Sequence, residues 1–170
     1  MRSKFSIAGH PLHPTLVSLP IGLFIWTLIA SIVHAAGGGR SWYDIAFWTG
    51  FAAWVSALVA ALPGFGDGFT LARGSDAQTM AMTHMALNLC VVVLYIVAWA
   101  LMLNAGATSG GKQVAVIVLQ AVGTGLLALS GWLGGEMVYR HHLAMVPDDA
   151  ELAQAEDRVH HAGRPGLQGR

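Results

Sequence analysis

The chain has 170 residues, of which 55% are hydrophobic and only 11% charged, with a formal net charge of zero and a mean hydropathy of +0.57. A soluble domain carries about 25% charged residues, so charge this scarce and this unevenly placed points to a membrane chain. Zero net charge gives no reason to expect a nucleic-acid partner, and a lone Cys90 inside an apolar run rules out a disulfide framework.

A membrane-crossing helix needs about 20 largely apolar residues. Four stretches qualify: 14–36, 42–62, 80–104 and 113–138. None contains Lys or Arg, and none shows the polar outer stripe that a soluble bundle would need. The predicted fold is therefore all-α: an integral membrane four-helix bundle occupying 1–146, followed by a polar tail at 147–170 that is partly disordered. The first apolar run is long enough to span and lacks the short core and cleavage site of a signal peptide.

Gly9-His10-Pro11-Leu12-His13-Pro14 leads into the first span. Pro14 suits a helix's first turn, and the two prolines stiffen the approach that carries both histidines. Gly37-Gly38-Gly39-Arg40-Ser41 separates spans one and two, and the second span closes on Pro63-Gly64-Phe65-Gly66-Asp67, opening a separator expected at 63–78. The third span carries His84 about one turn inside it, with Asn88 at i+4 on the same inward stripe. Ionisable groups inside spans are rare and by default functional, though an interhelical hydrogen bond would explain His84 equally well. Met80, Met82 and Met85 lie near His84 but share no face, so a thioether copper site is not indicated. On the last span Gly123, Gly131 and Gly135 recur at multiples of four, with Gly134 beside them, a spacing that brings helices close. Glu136 and Arg140 are four apart and should pair. Trp42, Trp48, Trp99 and Tyr139 near the span ends suit an interfacial belt.

Arg2, Lys4, Arg73 and Arg140 fall on the side of the N-terminus, against Arg40 and Lys112 on the other, which makes both termini cytoplasmic by the positive-inside rule. The hairpins look alike: each opens with a histidine, His13 or His84, and closes with a glycine-rich turn bearing Asp67 or Glu136. Inserted the same way up, they would be two antiparallel hairpins related by a pseudo-two-fold axis along the membrane normal. Five of the six histidines outside the tail (His10, His13, His84, His141 and His142) then gather at one end, leaving His34 at the other.

Residues 9–22 (Gly-His-Pro-Leu-His-Pro-Thr-Leu-Val-Ser-Leu-Pro-Ile-Gly), the Ala-Leu-Pro-Gly of 61–64 with Asp67, His84 with Asn88, and the Gly-Trp-Leu-Gly-Gly-Glu-Met-Val-Tyr-Arg-His of 131–141 resemble the bacterial membrane proteins grouped as domain-of-unknown-function 2231. The resemblance implies a four-helix inner-membrane protein. Some relatives are joined to Rieske-type iron–sulfur domains, which implies membrane redox chemistry. Ser18 stands where many relatives carry a further histidine.

The functional expectation is a small b-type cytochrome. Haem iron accepts two axial histidines, and a bundle can hold the ring between facing helices. His13 and His84 are the expected ligands, with His10 or His142 as substitutes, and Asp67, Asn88, Glu136 and Arg140 around the cofactor. Expected partners are the bilayer, a quinone or redox protein, and a second copy of the chain as a homodimer. Two alternatives stand beside it: a Zn or Cu site built from His10, His13, His84 and His142, and a cofactor-free membrane subunit.

Overall fold

The computed structural model describes residues 5–8, 10–103 and 110–141; the expected tail and His142 lie outside them. Within the described residues a two-stranded hairpin, β1 (Ser6–Ile7) with β2 (His10–Pro11), leads into α1 (Leu12–Val33), α2 (Arg40–Gly68), α3 (Asp76–Leu103) and α4 (Gly111–His141). At about 1.5 Å per residue, helices of 22 to 31 residues cross a hydrocarbon core of about 30 Å. Only 22–28% of each helix's most apolar window is buried inside the protein. Leu19, Leu62, Leu129 and Trp132 all point outward. Water tolerates apolar patches of only a few hundred Å², so lipid must cover these faces, and the chain is a multi-pass membrane protein.

α1 starts on Pro11 with Pro14 in its first turn, where the missing N–H has no intrahelical partner to lose. It ends in a widened turn, His34–Gly38. Gly37 there has φ 96° and Gly39 beyond it φ 79°, a region that side chains resist and glycine enters freely. His34 Nδ1 closes the turn on Gly39 O at 2.9 Å.

Two helix ends depart from expectation by four residues or more. α2 does not stop at Leu62 but continues through Pro63 to Gly68, because neighbouring helices stabilise a proline-containing span that would break in water. α3 starts at Asp76, four residues early. Ser75 Oγ accepts the Gln78 amide at 3.1 Å while Gln78 Oε1 accepts the Gly74 amide at 2.7 Å, a reciprocal arrangement close to a capping box. His84 is thus two turns into its helix, not one. The separator expected at 63–78 shrinks to 69–75.

The bundle centre packs Phe24, Ala53, Val91, Val92, Tyr95 and Leu127; the end away from His13 packs Ala30, Tyr43, Ala46, Ala98, Met102 and Val116. Gly123 receives the Tyr95 ring, whereas Gly131 and Gly135 face open space, so only part of the glycine spacing serves packing. Trp48 and Tyr139 are exposed as a belt requires. Trp99 is instead drawn into a stack with Phe47, Phe51 and Trp54 at 5.3, 5.5 and 5.8 Å.

Candidate functional site

The two hairpins repeat at the level of single contacts. His13 on α1 reaches across to α2, its Nδ1 2.8 Å from Ala60 O. His84 on α3 reaches across to α4, its Nδ1 2.9 Å from Ser130 O. A carbonyl can only accept, so each Nδ1 carries a proton, and in the neutral ring Nε2 is then the nitrogen with the free lone pair. One turn beyond each acceptor stands a glycine over which the imidazole lies: a Cβ on Gly64 would come 2.7 Å from His13 Nδ1, and one on Gly134 3.3 Å from His84 Cε1. Further along, Phe24 and Tyr95 occupy equivalent positions 71 residues apart and meet at 4.3 Å, with the Tyr95 hydroxyl donating to Phe24 O at 2.9 Å.

The equivalent histidines also meet. Their ring centres are 6.3 Å apart and their planes nearly perpendicular, at 87°. The pair therefore sits where the pseudo-two-fold axis passes, near the end of the bundle from which α1 starts.

The two imidazoles differ in what surrounds them. His13 Nε2 makes no hydrogen bond among the described residues. His84 Nε2 is capped by Asn88, whose Nδ2 lies 3.0 Å from it, 2.7 Å from Ser130 Oγ and 2.9 Å from His84 O. An amide nitrogen has two hydrogens to distribute among these three acceptors. Ser130 Oγ also lies 3.0 Å from His84 Nδ1. His84 and Asn88, both half-buried, and the fully buried Ser130 thus form one polar knot between α3 and α4.

The remaining expected site residues make contacts of their own. His10 is exposed on the hairpin and turns its Nδ1 to Ala8 O at 3.1 Å. Glu136 and Arg140 form an ion pair with each other within one turn of α4. Asp67 is half-buried in the last turn of α2, where its carbonyl accepts the Thr70 hydroxyl at 2.7 Å. His34 is at the other end of the bundle. Among the described residues no three His, Cys, Asp or Glu side chains converge as a metal site; His142, the fourth member of the expected Zn or Cu set, lies outside them. Nothing in the sequence pattern marks Ser130 as a partner of His84, and Gly64, expected in a turn, lies within α2.

A four-span membrane bundle with an imidazole pair on its internal axis is the class that fold and site define. Residues 9–147 match the family described as "Predicted membrane protein (DUF2231)", and the chain belongs to that family. No curated protein and no solved structure matches the chain.

Proposed function

We propose that the protein is a small electron-transfer protein of the bacterial inner membrane that holds haem b between His13 and His84 and exchanges electrons with a quinone or a redox partner protein. The observation that carries this reading is the facing histidine pair. The ring centres of His13 and His84 lie 6.3 Å apart, a separation that one metal ion between them could bridge, since an imidazole nitrogen sits about 2 Å from a bound metal. Each Nδ1–H is tied to a main-chain carbonyl, the outer-sphere bond that fixes a ligating histidine's tautomer and orientation. His13 and His84 would hold the group, which would supply one-electron chemistry. Asn88 would have to release His84 Nε2, and its contacts to Ser130 Oγ and His84 O can hold it meanwhile.

That same Asn88 contact favours a second reading, in which the imidazoles only clasp helices in a cofactor-free subunit. Colour separates the two. Purified protein should show a Soret band and a redox-sensitive α band. His13→Ala and His84→Ala should each abolish both bands, His10→Ala should only perturb them, and His34→Ala should leave them unchanged. Colourless protein that cannot be loaded with haem defeats the proposal, and bound metal without colour would point to a Zn or Cu ion.

Both termini are placed in the cytoplasm on the strength of Arg2, Lys4, Arg73 and Arg140. Reporter fusions after Arg40 and after Lys112 should read as periplasmic, and one after Arg170 as cytoplasmic. A cytoplasmic signal after Lys112 would overturn this orientation.

A further inference from the structure

The end of the bundle opposite the histidine pair holds a small cavity of about 10 Å³, lined by Ser31, His34, Tyr43, Met102, Gln113 and Val116 among others. Ser31 is only 5% exposed, and its Oγ has no hydrogen-bond partner among the described residues. Its neighbours on the wall are occupied: His34 Nδ1 holds Gly39 O, and the Tyr43 hydroxyl donates to Met102 O at 2.6 Å. Three interior threonines satisfy their hydroxyls on their own helix. Thr27, Thr49 and Thr124 each donate to the carbonyl four residues back, at 2.7, 2.7 and 2.8 Å. Ser31 forgoes that bond, although an unpaired polar group in hydrocarbon costs several kcal/mol.

We propose that this cavity is a binding site for one internal water molecule, held by Ser31 Oγ. The volume fits, since a cavity needs roughly 10–15 Å³ on this measure to hold one water, and it leaves no room for a larger ligand. The chemistry fits as well. The Tyr43 oxygen keeps an acceptor lone pair while its hydrogen goes to Met102 O, and the Ser31 hydroxyl can both give and accept, so water has two polar partners on the wall. The site lies on helices α1, α2, α3 and α4 at once and gives the protein a solvent foothold at the end away from His13 and His84.

The test uses the full chain in nanodiscs. Magnetisation transfer from water to the backbone amides of Tyr43, Ala46 and Ser31 should be seen in the unmodified protein. Ser31→Val, whose extra methyl group takes up cavity volume, should abolish the transfer to Tyr43 and Ala46. Ser31→Ala should lower the thermal midpoint by about 2–4 °C, because the water loses a partner. Absence of transfer in the unmodified chain overturns the proposal, as does transfer that survives Ser31→Val unchanged. A raised midpoint in Ser31→Ala overturns it too, since deleting a hydroxyl from a dry site relieves an unpaired group.

Discussion

Gly64→Ala should push His13 off α2 and destabilise the bundle by a net of about 0.5–2.5 kcal/mol. The new methyl would lie 2.7 Å from Nδ1 and 2.8 Å from Cε1 of the His13 ring, closer than carbon tolerates. The ring cannot slide away while keeping its bond, because Nδ1 is anchored to Ala60 O only one turn back on the same helix. Overpacking costs about 1–3 kcal/mol, and the lost interhelical bond adds about 0.6 kcal/mol on the membrane average. Better helix propensity of alanine returns up to about 1 kcal/mol, which leaves a net loss. The equivalent Gly134→Ala should behave differently, since its methyl would stand 3.3 Å from His84 Cε1, a distance that a shift of a few tenths of an ångström relieves. Reversible unfolding of both variants in micelles checks this. Equal effects at the two positions would show that the His13 ring is not confined as described.

The histidine pair was partly legible in the sequence. The spacing of His13 and His84, and the stripe formed by His84 and Asn88, come from side chains whose periodicity survives in the letters. The partners of the two imidazoles do not, because Ala60 and Ser130 act through main-chain carbonyls, which every residue possesses. Gly64 misled for a related reason. In water, Pro63-Gly64 followed by Gly66 reads as a turn; in a bilayer the same residues stay helical, and their missing side chains make room for His13 and for Phe5, whose ring lies over Gly66. The early start of α3 had a signal that was present but unread, Ser75 with Gln78 three residues on. Trp99 was placed in the belt from its position near a span end, yet position along a helix says nothing about which side of it faces neighbouring rings.

Asn88→Leu should cost about 1–2 kcal/mol of stability, near the upper end for hydrogen bonds between membrane helices. Leucine keeps the branched shape at a larger volume and removes the donor that serves His84 Nε2 and Ser130 Oγ, and unpaired acceptors in a low-dielectric interior are expensive. Ser130→Ala should cost less, because the bond from His84 Nδ1 to the Ser130 carbonyl survives. A double-mutant cycle between positions 88 and 130 should return a coupling of at least about 0.5 kcal/mol, since the two side chains touch. The variant also separates the two functional readings. If the imidazoles only clasp helices, Asn88→Leu weakens the bundle and nothing else changes. If His13 and His84 hold haem, losing Asn88 uncovers the very nitrogen that iron needs, so the destabilised variant should take up haem more readily than the unmodified chain in a reconstitution titration. Haem uptake lost together with stability would mean that Asn88 orients His84 for the iron and does not compete with it.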